Sequence, residues 1–191
     1  NIMPQIEELD NLPTPVRELF LSKNQQSNSK ARLSRCEDDH DTNNHRSQVD
    51  VIFPGGAPAT DEAVTRTCSS VSVGGKELLL ETYIWRDFMP ICPKDGTPMI
   101  AILKICTINS SPFPADVQAD LAWIVYGTQA WAIHVLEERP RTCERTYLRV
   151  VGRDGPKWGP RISVDVIVQL RDVQGKTFLL PAYSQTVHCT E

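Results

Sequence analysis

The chain has little of what marks an enzyme or a membrane protein. No Gly-x-Ser-x-Gly elbow, phosphate-cradling glycine loop or dinucleotide fingerprint occurs in its 191 residues, so no nucleophile or nucleotide site announces itself. No run approaches the roughly 18 apolar residues that a spanning helix needs. Among the six cysteines, Cys36, Cys68, Cys92, Cys106, Cys143 and Cys189, there is no C-x-x-C pair, which argues against a zinc ribbon or a thioredoxin-like redox motif. Charge of one sign is also scarce: 20 Lys+Arg against 24 Asp+Glu leave a net −4, too mild for a polyanion binder, and no nucleic-acid partner is expected.

What is present points outward from the cytoplasm. An even set of cysteines suits disulfides in an oxidising compartment, with about 15 pairings open, although thiols also serve as small core fillers. The chain starts at Asn1 rather than Met, for which removal of a secretory signal is one natural explanation. Asn109-Ser110-Ser111 is a glycosylation sequon, followed at once by Pro112. The expectation is a secreted or otherwise extracytoplasmic protein.

Residues 1–76 and 77–191 differ in texture. In "DNLPTPVRELFLSK", Thr14 suits a helix cap and Pro15 the first turn, while Val16, Leu19 and Phe20 fall on one face, so a short helix over 15–23 is expected. Ile6, Leu9 and Leu12 extend the same apolar strip. Residues 24–50 hold only Ala31, Leu33, Cys36 and Val49 as apolar side chains, and "FPGGAPAT" and "SVSVGG" carry turn chemistry, so 24–75 reads as a polar linker. The whole stretch 1–76 reads as an N-terminal arm rather than a domain.

From Glu77 onward the chain reads as seven strands, over 77–88, 99–108, 120–127, 129–138, 146–152, 161–172 and 177–187, rich in β-branched and aromatic residues. In the sixth, Ile162, Val164, Val166, Val168 and Leu170 alternate with Ser163, Asp165, Gln169 and Arg171, one face core and one wet. "YGTQ" and "DVQGK" supply hairpin turns, so sequence neighbours should pair antiparallel. Three strands break this pattern by being apolar on both sides: Ile100, Ile102 and Cys106 against Ala101, Leu103 and Ile105; Leu121, Trp123 and Val125 against Ala122 and Ile124; Trp131 and Ile133 against Ala130 and Ala132. A sandwich buries one face of each sheet, so the arm, a second copy or another partner should cover the other.

Several clusters invite a functional reading. "CEDDHDTNNH" offers Glu37, Asp38, Asp39, His40, Asp41 and His45 to a cation, but its spacing fits neither an EF-hand nor a zincin, and a solvated acidic linker explains it without metal. The segment 139–161 is basic, and Arg145, Tyr147 and Arg149 share a strand face while Leu148 and Val150 point inward. Such a ridge suits an acidic glycan, an acidic protein segment such as 37–41, or simple hydration. Trp158, in "GRDGPKWGP", either seals one end of the sandwich or presents its ring to a ligand. His134 has no carboxylate or nucleophile at a recognisable spacing, and no residue stands out as catalytic.

Strand count and spacing over about residues 77–190, with Cys106 followed by Trp123, resemble the immunoglobulin-like and fibronectin-like sandwiches. The chain departs from the antibody form in lacking a later Tyr-x-Cys. The resemblance implies an all-β, antiparallel sandwich of about seven strands. The expected role is a non-catalytic structural or adhesive subunit, without cofactor or metal, that self-associates or joins a larger protein assembly through Val16, Leu19 and Phe20 of its arm and an apolar sheet face. A carbohydrate-binding module using Arg145, Tyr147, Arg149 and Trp158 is the first alternative, and a small metal-dependent enzyme the second.

Overall fold

The structure, a computed structural model, describes residues 4–33, 69–138 and 146–190. The chain divides into two units, one of residues 1–20 with 66–191 and one of residues 21–65. Helix α1 (Thr14–Leu33) begins in the first and ends in the second, whose described residues are helical throughout. The helix therefore continues past the end expected near 23. Its polar second half contains neither glycine nor proline, and Gln, Asn, Ser, Lys and Ala sustain helix where nothing breaks it.

The first unit is all-β apart from α1 and one 3-10 turn. Its described strands are β1 (Ile6–Glu8), β2 (Ser70–Val73), β3 (Lys76–Asp87), β4 (Met99–Thr107), β5 (Gln118–Tyr126), β6 (Gln129–His134), β7 (Leu136–Glu137), β8 (Tyr147–Gly155), β9 (Ser163–Arg171) and β10 (Thr177–Thr190). They form a curled sheet in the order β1-β6-β5-β9-β10-β3-β4-β8-β7, with β2 on β3. All seven expected strands are found, the fourth divided into β6 and β7. Two were missed. "SVSVGG" reads as linker, yet Val73 is buried and Gly74-Gly75, both at positive φ, close a two-residue hairpin that only such residues turn without strain.

The pairing is not antiparallel throughout, as the sequence suggested. β10 runs antiparallel to β9 from Thr177 to Thr186 and then parallel to β3 from Val187 to Thr190. The transfer happens after a bulge between Ala182 and Gln185, where Ser184 takes positive φ and donates its amide to Asp165 Oδ1 at 2.8 Å. The Thr82 hydroxyl donates to Gln185 Oε1 at 2.5 Å, fixing the crossing strand to β3.

The two halves of the curled sheet close on one core. Leu78 and Ile84 of β3, Leu103 and Ile105 of β4 and Leu148 and Val150 of β8 pack in the same cluster as Ile124, Trp131, Ile133, Val166 and Val168. Two glycines show how tightly: a Cβ at Gly155 would stand 2.4 Å from the Trp131 ring and one at Gly152 2.9 Å from Ile133, so β8 runs through Gly152, where the sequence suggests its end, and stops at Gly155.

A second cluster lies on the outer side of β5, β6 and β9. Trp123, Val125, Ala130 and Ile167 pack with Leu12, Val16 and Phe20, and Leu9 and Leu19 join at the margin. β1 adds backbone pairing to β6, the Leu9 amide donates to the Thr128 carbonyl at 2.8 Å, and the Tyr183 hydroxyl donates to the Leu19 carbonyl at 3.2 Å. The doubly apolar β5 and β6 thus have their cover in the chain's own arm.

A candidate docking face on β3, β4 and β8

The third doubly apolar strand, β4, has no such lid among the described residues of the two buried clusters. Alternation sends Met99, Ala101, Leu103, Ile105 and Thr107 into the core and Ile100, Ile102, Lys104 and Cys106 outward. Strand register then builds rows across the outer face. Leu79, Cys106 and Tyr147 form one; Glu81, Lys104 and Arg149 the next; Tyr83, Ile102 and Val151 the third; Trp85 and Ile100 the last. Of these, only Val151 is buried; Tyr83 is 48% exposed, and none of the others belongs to either core.

One of these four rows is charged, between rows of apolar side chains on β3 and β4, with Arg153 and His188 at the margins on β8 and β10. Lys104 Nζ donates to Glu81 Oε2 at 2.8 Å and lies 5.4 Å from the Tyr147 ring centroid. The Glu81 hydrogen bond raises the Lys104 pKa against a smaller opposing effect of burial. Both side chains are well exposed, so the pair contributes only about 0.2–1 kcal/mol to the fold. Arg149 lies 3.9 Å from Glu138, which Arg153 holds more closely at 2.8 Å, and the Arg149 Nε is buried without a partner. Tyr83 stacks on His188 of β10, ring centroids 5.3 Å apart.

The expected ridge is partly in place. Tyr147 and Arg149 face outward while Leu148 and Val150 are buried, as the alternation required; Arg145 lies outside the described residues. Trp158 is half-buried against the main core, 5.9 Å from the Tyr126 ring. Val16, Leu19 and Phe20 sit in the outer cluster already described. The acidic cluster 37–45 and Cys36, Cys68 and Cys143 fall outside the described residues. No disulfide is formed among the described residues, contrary to the expectation for the whole set. Cys92 and Cys106 are free thiols, and the cross-strand neighbours of Cys106 are Leu79 and Tyr147, so no cysteine stands opposite it. Burial is the main cause that raises the pKa of both thiols, which disfavours the thiolate.

At the end of β3 the structure holds a residue that sequence reading missed. Arg86 is 2% exposed, and its guanidinium donates to the carbonyls of Thr97 at 2.9 Å, Lys157 at 3.0 Å, Gly159 at 2.6 Å and Asp95. It lies 4.8 Å over the Phe88 ring, and Lys157 pairs with Asp95 at 2.6 Å. Two loops, 88–98 and 156–162, are thereby fixed to each other, leaving Ile91 at the apex 96% exposed. The signal was a charged residue at an inward position of an alternating strand. Comparison with protein-family models, curated proteins and solved structures returns no match for this chain.

Proposed function

We propose that the chain is a non-catalytic structural subunit that docks into a larger protein assembly through the outer face of β3, β4 and β8. One observation carries this reading. The apolar outer side of β5, β6 and β9 is sealed by the arm, whereas the equivalent side of β4, with Trp85, Ile100 and Ile102 half-buried beside the exposed Tyr83, belongs to neither core formed by the described residues. An apolar face of this kind marks a protein interaction site, and its complement is another sheet face of the same texture. Of the two devices expected from the sequence, the sheet face is the one retained, since Val16 and Phe20 are already spent within the chain.

The extracytoplasmic placement remains part of the proposal, supported by the even cysteine count and the exposed Asn109 of the sequon. So does the immunoglobulin-like arrangement. Packing of Leu103 and Ile105 in one core with Val166 and Val168 supports it, while the parallel β3–β10 pairing departs from its antiparallel form.

The test is the solution mass of the protein from its native source, by light scattering, for the natural chain and for Ile102→Asp. The expected result is a particle of more than one chain that Ile102→Asp reduces to one, with the circular dichroism spectrum unchanged. A single-chain mass for the natural protein overturns the reading.

A further inference from the structure

Resting on that docking face, the arrangement of its charges identifies the occupant: we propose that it is a second copy of this chain, related by a two-fold axis that runs parallel to the strands between β3 and β4. Most closed homo-oligomers are built on two-fold axes that bring one patch against itself. Two sheet faces can meet in this way with the axis along the strands or across them, and the two choices have opposite electrostatic consequences.

With the axis along the strands, rows keep their level and β3 of one copy lies over β4 of the other. Glu81 then faces the second copy's Lys104, and Lys104 its Glu81, so the cross-strand ion pair on each sheet is repeated between the sheets. The apolar rows meet in the same sense: Tyr83 over Ile102, Trp85 over Ile100 and Leu79 over Cys106. With the axis across the strands at the charged row, Glu81 would lie over Glu81 and Lys104 over Lys104, and like charges opposed in a drying interface are strongly unfavourable. Of these two orientations, only the first makes the pattern self-complementary.

This arrangement also accounts for a pair that the fold does not need. An exposed Glu81–Lys104 bridge adds little to monomer stability, yet it places one charge of each sign at the centre of an apolar surface, where a mismatch would be costly and a match sets the alignment. Sheets packed in register at about 10 Å leave room for both side chains to reach across.

The experiment uses the purified full chain alone, by light scattering across a wide concentration range, with Glu81→Lys and Lys104→Glu prepared separately and mixed. The natural chain is expected to give a two-chain mass. Each variant by itself should be a single chain at concentrations where the natural protein is paired, with affinity reduced at least about tenfold. An equimolar mixture should recover the two-chain mass, because the lysines of one variant then face the glutamates of the other. Tyr83→Glu, at an exposed position, is the check on folding and should also give a single chain. Pairing that survives either charge reversal alone, or a mixture that stays single-chain, overturns the two-fold arrangement. A pure natural chain that stays single while the native particle still depends on Ile102 overturns the second copy and leaves the docking face standing.

Discussion

Arg86 is the residue with the most at stake. Desolvation lowers its pKa and Asp95 opposes that, but a guanidinium stays ionised through the physiological range, so a full charge is held almost out of contact with water. Four carbonyl partners of the guanidinium offset its lost hydration, and each of those carbonyls would otherwise need a donor of its own. A lysine carries the same charge on a single nitrogen and cannot reach Thr97, Lys157 and Gly159 together. Arg86→Lys is therefore expected to lose about 2 kcal/mol of stability, measured by urea denaturation, with the strands intact by circular dichroism. An unchanged midpoint would show that the two loops are held by other contacts. The clamp was not legible beforehand because its partners are backbone atoms of Thr97, Lys157 and Gly159, brought together by folding alone.

Among the elements, the arm is the one whose role changed most between sequence and structure. Its apolar spacing was plain, and so was the demand of β5 and β6 for a cover; what the sequence left open was which of three candidates meets it. The structure answers with Val16 and Phe20 against Trp123 and Ile167. Each fully buried side chain of this size contributes roughly 2 kcal/mol, enough for a helix turn to hold its place on the sheet. Phe20→Ala should cost about 3–4 kcal/mol by thermal denaturation and expose Trp123, shifting its fluorescence to the red. A stability within about 0.5 kcal/mol of the natural chain would mean that the arm does not seal the sheet. Strand positions were far easier to read, because alternation and the "YGTQ" and "DVQGK" turns are local signals. The parallel β3–β10 pairing was not, since it joins residues a hundred positions apart and leaves no mark in either strand. The docking face was legible in principle: Leu79, Glu81, Tyr83 and Trp85 are alternate residues of one strand, and only the register against β4 was missing.

On the scale of the whole molecule, Asp87 links parts that the chain keeps far apart. Its Oδ1 accepts from the Thr190 hydroxyl of β10 at 2.7 Å and from the Met89 amide at 3.0 Å, and these two bonds, the first foremost, lower its pKa below the ordinary aspartate value. Asp95 is lowered likewise, chiefly by its hydrogen bond from Lys157. A carboxylate depressed in the folded state adds stability that is complete above its unfolded value of about 3.9 and is lost as pH falls through the lower folded value. Stability is thus expected to decline in that acid window, and Asp87→Asn to flatten the decline; an equal slope in the variant would remove Asp87 from the cause. β10 has a further consequence. Among the described strands it is the one that pairs in both halves of the sheet, antiparallel to β9 and parallel to β3, and it follows the others in the chain. During synthesis on the ribosome, at about 5–20 residues per second, β3 to β9 emerge before the backbone ladder through β10 can form, with the passage from β6 to β7 already linking the two halves. The core shared by the two halves is complete only once Leu180 and Val187 of β10 join it, so the last strand to emerge is the one that closes the fold.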